Sequence, residues 1–235
     1  MATPVRVGLM VPENNTRMEP ELLGWLPPGS SCQTLRIPRG AGLLTPEAIP
    51  QYRESALQLA RSFDSSALDV VAYGCTAAGF ILGPEGDASI AHDLAGATQL
   101  PVITTAGAMV FGLQAIGARR IFLLTPYQDD VNRRIQEFLG HGGIEVAGLD
   151  SFYAANVQEL GAITSEQVHA RALRAPLDGC DAMFIACSQL PTLTILDALT
   201  AARCVPVLSS IQATASRILN DIPGRGAPVE AGVRR

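Results

Sequence analysis

The sequence predicts an α/β protein of two pseudo-symmetric halves, each a four-stranded parallel sheet with helices on both faces. Three observations predict it. Short apolar runs alternate with helical patterns from Val5 to about Leu219, as in chained βαβ units. Asp69-Val70-Val71-Ala72-Tyr73-Gly74-Cys75-Thr76 is matched type for type by Asp181-Ala182-Met183-Phe184-Ile185-Ala186-Cys187-Ser188. Other landmarks repeat in the same order: Pro12 with Pro126, Thr45 with Thr164, Pro101 with Pro206.

Val5 to Val11 reads as a buried first strand and Pro12–Thr16 as its exit loop. Asn15 or Thr16 is placed to cap a helix from about Met18 that ends at Trp25–Gly29. Cys32 to Ile37 alternates as a second strand, followed by a flexible loop at Arg39–Gly42. Thr45-Pro46-Glu47 supplies a cap, a first-turn proline and an acid, and predicts a helix to about Phe63. Strand 69–74 empties into Cys75. A helix around Ala88–Ala97, a strand at Pro101–Thr104 and an apolar helix at Ala106–Ile116 complete the half.

The second half repeats the pattern. Its strands are 120–126, 144–149, 182–186 and 206–208. Its helices are Asp129–Leu139, Thr164 to about Leu173, Thr192–Ala202 and Ile211–Leu219, and a loop runs through Asn156. Each half is thus a flavodoxin-like unit. The expected division is 1–117, whose last helix is free to pack on the other half, then 118–222, then a frayed Pro-, Gly- and Arg-rich tail at 223–235.

With 235 residues, 48% hydrophobic and only 17% charged, the chain can bury a substantial core. A net charge of −5 gives no basic footprint for nucleic acid. No apolar stretch reaches the length of a membrane helix, and Met1–Arg6 has no signal-peptide anatomy. Five cysteines without a C-x-x-C pair point to reduced thiols in a cytoplasmic enzyme. Cys32, Cys180 and Cys204 read as strand or turn residues without chemistry.

Ligands of open parallel sheets bind outside the carboxyl ends of the strands. If the halves face each other, Cys75 and Cys187 approach a ligand from opposite sides, with the active site between them. The helix start after Cys75 is expected to favour its thiolate. Two opposed thiols suit two-base proton transfer, or covalent addition by one with the other managing the proton. Pro12, Asn15, Thr76, the Ala77 backbone, Tyr127, Asn156 and Ser188 would supply a carboxylate pocket without a metal. No metal-ligand spacing, G-x-G-x-x-G or phosphate loop is present, so no metal and no cofactor are expected. The histidines, His92, His141 and His169, lie in or beside helical patterns away from the strand exits.

Val11-Pro12-x-x-Asn15-Thr16-x-x-Glu19, Gly74-Cys75-Thr76, Thr125-Pro126-Tyr127, Asn156-x-x-x-x-Gly161 and Cys187-Ser188-x-Leu190-Pro191-Thr192 resemble the aspartate/glutamate racemase superfamily. Within it they are most similar to the maleate cis–trans isomerase and arylmalonate decarboxylase branch, over nearly the whole chain. The resemblance implies two half-domains enclosing a small carboxylate, with Cys75 and Cys187 as the catalytic thiols. It implies Asn15, Tyr127 and Asn156 as carboxylate ligands and Thr76 with nearby backbone as an oxyanion pocket. It implies no cofactor and a homo-oligomer, dimer or tetramer. Arylmalonate decarboxylases have glycine at the first-half cysteine, whereas racemases and maleate isomerases keep both. The expected function is therefore conversion of maleate to fumarate through a cysteine thioether. An acidic amino-acid racemase is the alternative, which Glu13 would favour by binding an amino group. An arylmalonate-type decarboxylase, or a non-catalytic binder of small acids, follows.

Overall fold

The computed structural model describes residues 3–39 and 42–222, so the tail expected at 223–235 lies outside the described residues. The first sheet contains β1 (Arg6–Pro12), β2 (Ser31–Ile37), β3 (Val70–Tyr73) and β4 (Val102–Thr104), in the order β2-β1-β3-β4. The second contains β5 (Arg120–Thr125), β6 (Glu145–Ser151), β7 (Ala182–Ile185) and β8 (Val207–Ser209), in the order β6-β5-β7-β8. All pairings are parallel, so the second sheet reproduces the first strand for strand.

The repeat extends to individual interactions. The Asp69 carboxylate, just before β3, accepts from the Arg6 N–H that opens β1 at 2.8 Å. Asp181, just before β7, accepts from the Arg119 and Arg120 N–H groups at the same distance. These acids fix the near end of each sheet, opposite the edge that carries the thiols. The central strands β3 and β7 are buried along their whole length, as apolar runs covered on both faces require. The edge strands β2 and β6 are only partly buried.

The helices of the first half are α1 (Met18–Trp25), α2 (Ile49–Ala60), α3 (Thr76–Phe80), α4 (Gly83–Thr98) and α5 (Thr105–Ala115). Those of the second are α6 (Asp129–His141), α7 (Val157–Ala162), α8 (Ser165–Arg174), α9 (Leu196–Arg203) and α10 (Ser210–Asp221). None is long and apolar enough to cross a membrane. The caps also repeat. Thr104 caps α5 through Gly107 N–H, and Ser209 caps α10 through Gln212 N–H.

Three helix starts differ from the sequence reading, and two short helices are added to it. Thr45-Pro46-Glu47 forms a turn closed by Ala48 N–H to Thr45 O at 3.0 Å, and α2 starts at Ile49, with Pro50 in its first turn. α4 starts at Gly83, well before Ala88. Two short helices, α3 and α7, form where no run is long enough to show a helical period. α9 starts at Leu196 rather than Thr192; ahead of it Ile195 N–H donates to the Thr192 carbonyl in a turn, and the Thr192 and Leu193 N–H groups are held by the Glu21 carboxylate of the other half.

α5 packs on α3 and β4 of its own half and, more extensively, against α10 of the other. Small residues allow the close approach. A side chain at Gly112 would place its Cβ 3.2 Å from the Ala213 Cβ, and the Thr105 and Thr214 hydroxyls meet at 3.2 Å. Gly112→Leu is expected to force this seam apart and to lower stability by about 1–3 kcal/mol, read as a lower urea midpoint.

Candidate active site

The two carboxyl edges face one cleft with about 540 Å³ of empty space, its open mouth included. Cys75 and Cys187 both line it. Pro12, Asn15, Thr76, Ala77, Tyr127 and Ser188 line it as well.

Cys75 ends the turn after β3 and directly precedes α3. Gly74 makes this turn possible, because a Cβ there would press on the Met18 sulfur and come within 3.0 Å of the Met10 carbonyl. The Ala78 N–H, the Arg39 guanidinium, the Tyr52 hydroxyl and the Ala77 N–H favour the charged form of the Cys75 thiol. Burial outweighs them, and the free thiol is pushed above its ordinary range. The expected net preference for thiolate at Cys75 is thus reversed. α3 is a five-residue helix, and its donors only partly offset the removal of water around the sulfur.

Cys187 reaches the cleft by a different backbone route. Its φ is +125°, a conformation that costs a non-glycine residue about 1–3 kcal/mol. No helix follows directly. Its own N–H is held by the Ser210 hydroxyl at 3.0 Å, and its sulfur accepts from Gln189 N–H at 3.4 Å. Burial pushes this thiol up to about 11, and the nearby Cys75 sulfur pushes the same way. Tyr127 and the Gln189 N–H oppose the shift.

The Tyr127 hydroxyl is buried without a hydrogen-bond partner, and its ring meets Phe80 edge-on at 5.7 Å. Its carbonyl accepts from Asn132 Nδ2 at 2.9 Å and from the Ser151 hydroxyl at 2.6 Å, which fixes the loop after β5. Asn15 and Ser188 are largely occupied within the protein. Asn15 Oδ1 accepts from the Arg17 and Met18 N–H groups, each at 3.0 Å. Its Nδ2 donates to the Ser188 carbonyl and hydroxyl, each at 3.1 Å, and the Ser188 hydroxyl donates to the Gly74 carbonyl at 2.7 Å. These residues join the halves beside the thiols.

Asn156 is the exception among the expected site residues. It does not line the cleft. Its Oδ1 caps α7 by accepting from Glu159 N–H at 2.9 Å, and its Nδ2 donates to the Glu159 carboxylate at 3.1 Å. Leu160, one turn on, forms the wall there. Glu13 is also outside the lining. Its carboxylate accepts from the Arg39 N–H at 3.0 Å, so the acid is directed to the loop after β2 rather than to a ligand.

Arg39, Leu44, Gln128 and Gln189 line the cleft without having been singled out as site residues. Arg39 is held by the Gly42 carbonyl at 2.7 Å, and its charge favours both thiolates. Tyr52 reaches Cys75 from α2, where it belongs to a buried stripe with Ile49, Ala56 and Ala60. In sequence that stripe reads only as core.

A profile of the arylmalonate decarboxylase family matches residues 7–228. The chain belongs to this family. The maleate isomerase of Nocardia farcinica is 29% identical over 94% of each chain. The arylmalonate decarboxylase of Bordetella bronchiseptica is 31% identical over 89% of this chain and 84% of its own. A solved structure of a cysteine-to-serine variant of the Nocardia farcinica maleate cis–trans isomerase, carrying a covalently bound succinylcysteine intermediate, matches with a TM-score of 0.83. It is 27% identical and covers 95% of this chain and 97% of its own. The branch read from the sequence motifs is therefore the one to which the chain is similar throughout.

The Cys187 shift sets a pH dependence. An unfolded cysteine titrates near about 8.5, whereas folded Cys187 titrates at about 11. The fold favours the neutral thiol, so this stabilisation is complete below the lower value and is lost as pH rises through the higher. Stability is expected to fall between those pH values, and Cys187→Ser should remove part of the fall. Urea denaturation of both proteins across that range checks it.

Proposed function

We propose that the protein is an enzyme, a cofactor-independent isomerase that converts maleate, or a closely related small dicarboxylate, to its trans isomer. The observation that carries this reading is that Cys75 and Cys187 line one cleft from opposite halves. Cys75 is the nucleophile because it directly precedes α3, whose first N–H groups, with the Arg39 charge, favour its thiolate. The succinylcysteine held by the Nocardia farcinica relative supports a covalent route.

The Cys75 thiolate adds to one alkene carbon. As the S–C bond forms, the π pair moves to the neighbouring carbon, which takes the proton of the Cys187 thiol. The former double bond is now single, and the chain rotates about it. Cys187 then takes back the proton, the S–C bond breaks, and the trans diacid leaves with the Cys75 thiolate restored. The backbone N–H groups of α3 and the Arg39 charge offset the substrate's carboxylates. The Cys75 proton passes to water before the attack, so the reactive form is the thiolate fraction of the free protein, which the Arg39 charge favours. A cytoplasmic location, a homo-oligomer and two half-domains at 1–117 and 118–222 go with this reading.

The racemase alternative loses its particular support, because Glu13 is engaged by Arg39 and is absent from the cleft wall. Proton NMR in heavy water with maleate tests the proposal. Fumarate should appear, Cys75→Ala should abolish it, and Cys187→Ala should slow it by at least about a hundredfold, as general acid–base groups do. Unchanged maleate overturns it. Loss of an α-proton from aspartate or glutamate would establish the racemase instead, and carbon dioxide from an arylmalonate the decarboxylase.

A further inference from the structure

Four amide side chains stand on the cleft wall among the described residues, those of Asn14, Asn15, Gln128 and Gln189. Three of them are engaged inside the protein. Asn15 uses its oxygen on two backbone N–H groups and its nitrogen on Ser188. Gln189 exchanges two hydrogen bonds with Thr16, through Oε1 at 3.0 Å and Nε2 at 3.2 Å. Gln128 Nε2 donates to the Tyr153 and Ala154 carbonyls at 2.6 and 3.0 Å. Asn14 is different. Its Oδ1 is buried without a hydrogen-bond partner, and its Nδ2 has none among the described residues. An amide held at a cleft wall with neither end satisfied is one that a ligand completes.

The backbone on either side of Asn14 is fixed. Glu13 N–H donates to the Ile37 carbonyl at 2.9 Å, and Asn15 N–H donates to the Pro12 carbonyl at 2.8 Å. The Glu13 carboxylate accepts from the Arg39 N–H, which ties this turn to the loop that brings a cation to the cleft. A short side chain on so fixed a backbone has little freedom to lose when a ligand binds. Counted from the paired prolines Pro12 and Pro126, the repeat sets Asn14 against Gln128. Both strand-exit turns thus carry an amide to the cleft, and the one from the first half is unengaged.

We propose that Asn14 is a substrate-binding residue whose Nδ2 donates to a carboxylate oxygen of the dicarboxylate. The assignment rests on the dicarboxylate reading proposed above. It moves the amide ligand one residue back from Asn15, which the resemblance implied and whose amide is taken by the protein itself. Both carboxylates remain carboxylates from substrate to product. The bond therefore contributes to binding throughout, and its loss should appear in KM rather than in kcat.

Calorimetric binding of succinate, a saturated diacid that cannot react, tests this on the intact protein. Asn14→Ala should weaken succinate about ten- to hundredfold, the range for a hydrogen bond to a charged group. Asn14→Asp keeps the size but replaces the donor by a like charge, and should weaken it further. KM for maleate should rise in the same order, with kcat little changed. The urea midpoint of Asn14→Ala should match that of the parent, since no internal hydrogen bond is lost. If the alanine variant folds poorly, the aspartate variant carries the test. Unchanged succinate affinity in these variants, or no succinate binding by the unaltered protein, overturns the proposal. Succinate binding needs no turnover. Failure of maleate turnover with succinate binding that depends on Asn14 would therefore sink the isomerase reading alone.

Discussion

A single hydrogen bond joins the neighbours of the two thiols. The Ser188 hydroxyl, next to Cys187, donates to the carbonyl of Gly74, next to Cys75, at 2.7 Å. Around it lies a set of buried and half-buried polar contacts that all cross between the halves. Asn15 holds Ser188, and Thr16 exchanges two hydrogen bonds with Gln189. The Glu21 carboxylate takes the N–H and hydroxyl of Thr192 and the N–H of Leu193. Each group would be orphaned if the halves slid apart, and burial makes an orphan expensive. Apolar packing between α5 and α10 holds the halves together, but it is tolerant of sliding. The polar set, which is directional, fixes where one strand edge stands relative to the other.

That constraint has an electrostatic consequence. Closing the two edges on each other excludes water from both sulfurs, and both are held as neutral thiols in the free protein. The donors around them recover only part of the lost hydration. A Glu21 carboxylate with three donors shows the same balance, since burial still raises it. The cleft is thus dry enough to strengthen every charge interaction within it, and it meets an incoming dianion with Arg39.

The molecule is symmetric in its sheets and asymmetric in its chemistry. Asp69 and Asp181, Thr104 and Ser209, and the two strand orders are true repeats. At the thiols the halves diverge. Cys75 sits in an extended backbone at a helix start, whereas Cys187 sits at positive φ in a loop. A substrate carbon lying between them therefore meets two different groups, one supported by helix N–H donors and one by Gln189 and Tyr127. Such division of labour suits a nucleophile and a proton carrier better than two equivalent bases.

Strand number, sheet type, internal repeat and both thiols were legible in the sequence, because buried parallel strands write themselves as apolar runs ending in small residues. Local chemistry that depends on near neighbours was legible too, as the Thr164 cap and its capping box show. Asn156 caps α7 by the same local rule, an Asn followed three residues later by Glu159, and the structure leaves it off the cleft wall. The Glu21 carboxylate that holds Thr192 and Leu193 ahead of α9 was not legible, because it lies about 170 residues away in sequence. The sequence by itself determined the elements and the residues able to do chemistry. The tertiary structure decided which of them share a dry cleft, because burial and cross-half hydrogen bonds arise only when distant segments pack.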